Sequence, residues 1–359
     1  MLHIGPIAID PPLLQAPMAG FTDFAQRAMV RQFGGVGLMF TEMVSARSLS
    51  EMRARGARQS GRLWGVEGEP RPLGVQIWDN DPGTLAEVAR DVVARFGPSV
   101  IDLNFGCPAK DVADKAGSGA YLLRDPEQIG RIVRRVVDAC RPPKKGGILL
   151  LPRSGPAGAS HKSRMSPFSG VPVTAKIRLG PDERRITAPE VACAVREAGG
   201  AALTVHGRTA AQRYRGRADW EQIARLKQYL PDIPLIGNGD LTSPVQAVEA
   251  LRTYPVDGVM LGRAPLGRPW IFRQAAALLR EEPMPADPGD AEQRDVLLEQ
   301  FRLVVQQHGP EKGAVLMRRL AARYGQGRAG ARLFRAEVSR VGTPEEFEAV
   351  VRRHFDGGD

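Results

Sequence analysis

The chain has 359 residues, 43% hydrophobic and 25% charged, the composition of an ordinary soluble globular protein long enough for one large domain and a small one. Its three cysteines, Cys107, Cys140 and Cys193, are odd in number and lack metal-ligand spacing, so neither a disulfide framework nor a metal site is indicated. The formal charge of +10 favours a polyanionic partner, while the absence of a leader-like N-terminus and of any membrane-length apolar run argues for a cytoplasmic protein without membrane contact.

Eight short apolar runs follow one another, separated by stretches with helical periodicity. They are LLQAP (13–17), VGLMFTEM (36–43), PLGVQIW (72–78), VIDLNF (100–105), VPVTAKIR (171–178), ALTVH (202–206), IPLIGN (233–238) and VDGVML (256–261). Strand alternating with helix implies a parallel sheet, and eight units over this length imply a (β/α)8 TIM barrel. A doubly wound sheet would want a glycine-rich dinucleotide fingerprint after its first strand, and APMAGFTD is not one.

Polar or unusual residues stand where these runs end: Pro17 and Met18, Glu42, Gln76, Asn104, Lys176 with Arg178, His206, Asn238, and Gly262 with Arg263. Each alone reads as a strand-end cap. Together they converge, because in a barrel all C-terminal strand ends open on one face. Cys107, between Gly106 and Pro108, follows Asn104 at that mouth. A lone cysteine is by default an incidental half-buried residue, but a thiol in a loop punctuated by glycine and proline is placed for chemistry.

RPPKKGGILLLPRSGPAGASHKSRMSPFSG (141–170) interrupts the barrel rhythm as a basic insertion, either a nucleic-acid arm or a loop on the face opposite the mouth. After the last barrel helix, EEPMPADPGDA (281–291) reads as a linker. Helical periodicity near 294–307, 313–324, 330–340 and 344–354 then implies a small C-terminal all-helical domain. The expected division is a barrel over 1–280, the linker, and a helical domain over 292–359. Residues 311–340 hold eight Lys/Arg against Glu311 and Glu337, a basic patch.

The glycine-rich turns GNGDLTS (237–243) and LGRAPLGRPW (261–270) end the seventh and eighth strands, where barrels commonly hold phosphate. Lys176, His206 and Gln76 add donors for an electron-rich ring, a demand that a flavin meets. With no handle for an adenosine group, FMN is preferred to FAD.

APMAGFTD, GVQIWDNDP, IDLNFGCPAKDVADKAGSGAYLL, PVTAKIRLG, LTVHGRT, IPLIGNGDL and DGVMLGRAPLGRPWIF resemble the successive motifs of the tRNA-dihydrouridine synthase family, most like its bacterial B-type. The resemblance continues more weakly through HGPEKGAVLMRRLAARY, where the B-type Lys-His-x-x-Trp-Tyr run reads RRLAARY. It implies reduction of the C5–C6 bond of a D-loop uridine in tRNA, with FMN as cofactor and NADPH, or NADH, as reductant. Carried over motif by motif, Pro17, Met18, Ala19, Gln76, Lys176, His206, Asn238, Gly239, Asp240, Gly262 and Arg263 would bind FMN. Asn104, Arg178 and Arg208 would bind the substrate, and Cys107 would give the proton. Hydride from flavin N5 at the electrophilic C6 leaves negative charge at C5, and a thiol protonated at neutral pH can discharge it. The helical domain would bind tRNA, and the protein is expected to be a monomer without a metal. Two rival readings are a barrel acting on a free pyrimidine, in the manner of dihydroorotate dehydrogenase, and an RNA-binding barrel without catalysis.

Overall fold

The computed structural model describes residues 1–56, 60–141 and 170–356, so nearly all of the basic insertion lies outside the described residues. A hairpin of β1 (Leu2–Ile4) and β2 (Ile7–Ile9) precedes the barrel. The barrel strands are β3 (Leu13–Gln15), β4 (Leu38–Phe40), β6 (Leu73–Trp78), β7 (Val100–Phe105), β8 (Val173–Arg178), β9 (Ala202–His206), β10 (Leu235–Asn238) and β11 (Gly258–Leu261). Each pairs in parallel with its neighbours, and β4 pairs with both β3 and β6, which closes the circle. The two-residue β5 (Val44–Ser45) continues the line of β4 along β6. The expected TIM barrel is therefore present, and each expected apolar run contains one of its strands.

Every barrel strand is buried on both faces, which is why it reads as a continuous apolar run and not as an alternation. Leu14, Leu38, Phe40, Ile236 and Met260 fill the interior, while the alternate residues Leu13, Met39, Val75, Leu103, Val205 and Val259 pack under the helices. Gly74 is required inside, because a Cβ there would stand 2.4 Å from the Phe40 ring. The hairpin is not anticipated by the periodicity of the sequence. Its Leu2, Ile4 and Ile9 join Val100 and Ala202, the first residues of their strands, so it plugs the end of the barrel opposite the mouth.

The outer helices are α1 (Phe24–Phe33), α2 (Ala46–Ala54), α3 (Pro82–Phe96), α4 (Pro126–Cys140), α5 (Ala188–Glu197), α6 (Trp220–Arg225), α7 (Pro244–Thr253) and α8 (Ile271–Leu279). Three start with a side-chain cap followed by proline: Asp81, Asp125 and Ser243 accept from the backbone N–H of Thr84, Gln128 and Gln246. The proline occupies the first helical position, where an N–H has no helical partner.

Beyond residue 289 follow α9 (Asp290–His308), α10 (Pro310–Tyr324), α11 (Ala331–Val338) and α12 (Pro344–Phe355), one over each expected periodic stretch. Their core, with Leu297, Phe301, Met317, Phe334 and Phe347, is continuous with Ala25, Met29, Leu266 and Trp270 of the barrel's outer layer. A buried chain of hydrogen bonds crosses the contact: Tyr324 donates to Gln300, Gln300 to Gln26, and Gln26 to the Pro265 carbonyl. Asp287 pins the intervening segment by accepting from Trp270 and Gln274. Among the described residues no helix is long and apolar enough to cross a membrane.

Candidate active site

Strand register brings the polar residues together. Gln76 lies opposite Asp102, Asp102 opposite Thr174, Asn104 opposite Lys176, and His206 between Arg178 and Asn238. Residues opposite one another in a barrel point to the same side, so these form stacked polar layers beneath the mouth.

The lower layer is a hydrogen-bonded chain. Thr174 Oγ1 and Gln76 Nε2 each donate to the Asp102 carboxylate at 2.6 Å. Asn104 Nδ2 donates to Gln76 Oε1 at 2.8 Å, and Asn104 Oδ1 accepts from the backbone N–H of Gly106 at 3.2 Å and of Cys107 at 2.9 Å. Burial pushes the Asp102 carboxyl up to about 6, partly offset by these hydrogen bonds and the nearby Lys176 charge. The chain ends on the loop that carries the thiol.

Cys107 is half-buried, and its carbonyl accepts from the Ala120 N–H at 3.0 Å, so the loop folds back onto the turn at Gly119–Arg124. Burial raises its thiol above the ordinary value, against the pull of the Ala109 N–H and of Arg178, Lys176 and Arg62. It therefore holds its proton at neutral pH. Those three cations would also stabilise the thiolate left once the proton is given up.

Lys176 is half-buried and donates to Asn238 Oδ1 at 3.1 Å; among the described residues its ammonium makes no other hydrogen bond. Burial first, and Arg178 second, bring it down to about 8. His206 is held well below its ordinary value by burial and by four neighbouring cations. Its Nε2 lies 3.3 Å from an Arg208 N–H; an arginine can only donate, so His206 is neutral with its proton on Nδ1.

The two arginines expected to touch substrate are spent within the protein. Arg178 donates to the carbonyls of Gly106, Thr209 and Arg213 at 2.8 to 2.9 Å, tying the thiol loop to the loop after β9. Arg208 uses its N–H groups on Arg215, Gly216, His206 and, bidentately, Asp240. Tyr214, 62% exposed, rides on that loop beside the guanidinium groups of Arg178 and Arg263. Asn104 likewise has both ends of its amide engaged and is 8% exposed. All three hold the loops around the mouth in place.

On the other side of the mouth, Met18 anchors the turn after β3 by exchanging hydrogen bonds with Thr22, and Glu42 ties that turn to β4 by accepting from the Gly20 N–H. Pro17 and Ala19 flank Met18 in the same turn. Its sulfur lies 3.7 Å from where a Cβ on Gly262 would sit, so the ends of β3 and β11 meet. Gly239, at φ +135°, has no room for a side chain, since a Cβ there would stand 2.5 Å from the Ala218 Cβ and 3.2 Å from the His206 ring, and Asp240 at φ +53° turns its carboxylate back to Arg208. Arg263 is 54% exposed, and among the described residues its guanidinium makes one loose ion pair, to Asp240 at 3.6 Å. Asp102 and Thr174 are not singled out by the sequence because they lie inside apolar runs; their spacing of two from Asn104 and Lys176 is the signal that places them on the same face.

The family model described as Dihydrouridine synthase (Dus) matches residues 14–146 and 162–356. The chain is 38% identical over 355 residues to the tRNA-dihydrouridine synthase B of Xanthomonas campestris, covering 99% of this chain and 96% of that one. It is 37% identical to the protein of the same name from Pseudomonas aeruginosa, with the same coverage, and 35% identical to a probable tRNA-dihydrouridine synthase of Mycobacterium tuberculosis, over 99% and 85%. A match this long, through every barrel strand and into the last helix, shows that the chain belongs to the dihydrouridine synthase family, whose members are flavin-dependent oxidoreductases.

Proposed function

We propose that this protein reduces the C5–C6 double bond of a D-loop uridine in tRNA, with FMN as its flavin, NADPH or NADH as the source of electrons, and Cys107 as the proton donor. The observation that carries the reading is the Cys107 thiol: half-buried at the barrel mouth, kept protonated by burial, and set among three cations.

The mouth suits a flavin. Lys176 offers a half-buried ammonium with, among the described residues, two uncommitted N–H donors, and His206 a neutral ring with its Nδ1 proton. Gln76 keeps one Nε2 hydrogen beyond the bond to Asp102, and Asn238 is fixed by donating to the Met260 carbonyl. Pro17, Met18 and Ala19 form one wall. Gly239, Asp240, Gly262 and Arg263 form the phosphate end, with Arg263 free to bind and Asp240 holding Arg208 in place. When bound, FMN supplies the hydride that adds to uracil C6. Lys176 balances negative charge on the ring system, and Cys107 delivers its proton to C5.

Asn104, Arg178 and Arg208 support substrate binding by fixing the two loops around the target base. The C-terminal residues 292–359 hold the tRNA, and the barrel over 1–280 holds the flavin. On α10, Lys312, Arg319 and Arg323 are exposed, and the Arg319 guanidinium lies 4.6 Å over the Phe21 ring at the edge of the mouth. Positive charge next to the opening is what a phosphate backbone demands. The protein acts in the cytoplasm as a monomer. Mass spectrometry of tRNA from a deletion strain tests the reading: loss of one dihydrouridine, restored by the wild-type gene, is expected. Unchanged tRNA, with purified protein reducing free uracil or orotate, would replace it with the free-pyrimidine reading.

A further inference from the structure

Between Thr174 and the Cys107 backbone, every hydrogen bond points towards Asp102. Thr174 and Gln76 donate to Asp102, Asn104 donates to Gln76, and Gly106 and Cys107 donate to Asn104. A side-chain amide can face either way, since its oxygen and nitrogen have the same shape. The sense is set at the two ends. A backbone N–H can only donate, and an ionised carboxylate can only accept.

We infer that Asp102 is a positioning residue for Cys107: by accepting from Thr174 and Gln76 it fixes the direction of the Gln76 and Asn104 amides and so holds the thiol loop in place. This rests on the reading of Cys107 as the proton donor. Reversing Gln76 would set its oxygen against the Asp102 carboxylate and its nitrogen against Asn104 Nδ2. Reversing Asn104 would set its nitrogen against the Gly106 and Cys107 N–H groups. Asp102 is 1% exposed, Gln76 is fully buried, and water is not at hand to repair a mismatch. A buried carboxylate adds nothing to a barrel interior that a leucine would not supply more cheaply, unless its acceptor-only character is used.

The arrangement has a protonation dependence. Once protonated, Asp102 becomes a donor on one oxygen, and the chain loses its fixed end. Its ionisation is opposed by burial and favoured by Thr174, Gln76 and the Lys176 ammonium from β8. Because burial has already brought its titration to about 6, loss of order begins as pH falls through that value.

Three variants test this, read by turnover on tRNA against pH and by the alkylation rate of Cys107 in flavin-free protein. Asp102→Asn keeps an oxygen towards Gln76 while Thr174, whose hydroxyl can also accept, takes the amide N–H. It should retain most turnover but lose the acid limb that the wild type shows near pH 6. Thr174→Val removes a bond that favours the carboxylate and should move that limb upward by half a pH unit or more. Asp102→Ala should lose at least tenfold in turnover with tRNA affinity unchanged, and its Cys107 should alkylate faster than in Asp102→Asn. An acid limb unmoved in both Asp102→Asn and Thr174→Val overturns the inference, as does wild-type turnover in Asp102→Ala. If Cys107→Ala turns over normally, the acid role fails instead, and the order of alkylation rates still decides the positioning of the loop.

Discussion

Gly119 lies against Cys107 so closely that a Cβ on the glycine would stand 2.8 Å from the cysteine carbonyl oxygen and 3.3 Å from its Cβ. The glycine is also at φ +56°, where an L side chain costs about 1–2 kcal/mol. Gly119→Ala therefore strains the turn and pushes the thiol loop outward. We expect a lower Tm by several degrees and a loss of turnover on tRNA larger than the loss of flavin. Equal turnover per bound flavin in variant and wild type would show that the close approach does not position the thiol.

Cys107→Ala leaves Lys176, His206, Asn238 and Arg263 as they are, so flavin binding should persist while the proton for C5 is missing. A positioned general acid contributes about 10² to 10⁴ in rate. Turnover on tRNA should drop by that factor, and oxidation of NADPH by the bound flavin should continue at nearly the wild-type rate. Stopped-flow absorbance separates the two half-reactions, and normal uridine reduction by the alanine variant would remove the acid role.

In the proposed reaction Lys176 should set the alkaline side. Its folded-state value, about 8, lies below the ordinary 10.5 because burial and Arg178 disfavour the charged form. As pH rises through that value the ammonium loses its proton and the charge that balances a negative ring disappears. Reduction of the bound flavin should become less favourable above pH 8 in the wild type. Lys176→Met should show that weaker reduction at every pH, without the inflection. Spectroelectrochemical titration across pH 6 to 10 reads both, and a wild-type inflection surviving in the methionine variant would assign it to another group.

The barrel was legible because parallel strands buried on both faces cannot alternate, and eight such runs have few other ways to close. Lys176, His206 and Asn238 were legible as polar residues at strand ends, and Cys107 as a thiol in the glycine- and proline-punctuated loop just past one. The hairpin over residues 2–9 was not, since two three-residue strands with a Gly-Pro turn look like any short loop. Nor could spacing reveal that Arg208 would be saturated by Asp240 and three other partners: exposure of an arginine depends on loop geometry, which periodicity does not contain. Asp102 was hidden within VIDLNF, where a strand's two faces are distinguished only by counting in twos from Asn104.

Arg263 differs from its buried neighbours in having little to lose. Its side chain is 54% exposed and its ion pair with Asp240 is 3.6 Å long, so Arg263→Ala should leave Tm of the flavin-free protein unchanged. FMN retention should fall by about tenfold, the worth of one charge-assisted hydrogen bond to a phosphate. Arg208→Ala should do the reverse and destabilise the fold first, because it strips Asp240 and the loop over residues 209–217 of their partner. Fluorescence titration with FMN, alongside thermal melts, distinguishes them; a stability loss in Arg263→Ala equal to that in Arg208→Ala would contradict the assignment.

How the tRNA is held follows from which charges are free. Among the eight Lys/Arg of residues 311–340, Arg318 is committed to the Val341 carbonyl and Arg328 to Asp290, while Lys312, Arg319 and Arg323 stand exposed along α10. Removing the whole helical part is not a clean test, since its core is continuous with Met29, Leu266 and Trp270 and the barrel would be left with an apolar wound. Charge removal is cleaner. Lys312→Ala, Arg319→Ala and Arg323→Ala together should weaken tRNA binding and reduce the slope of log K against log salt by about one for each phosphate no longer neutralised. Flavin content and NADPH oxidation should not change. By contrast, the family match skips residues 147–161, which have no counterpart in it. Deleting them should leave tRNA affinity, salt slope and dihydrouridine formation within about twofold of wild type. A deletion that abolishes modification, combined with an unaltered salt slope in the triple α10 variant, would move the RNA-binding surface from the helices to the insertion.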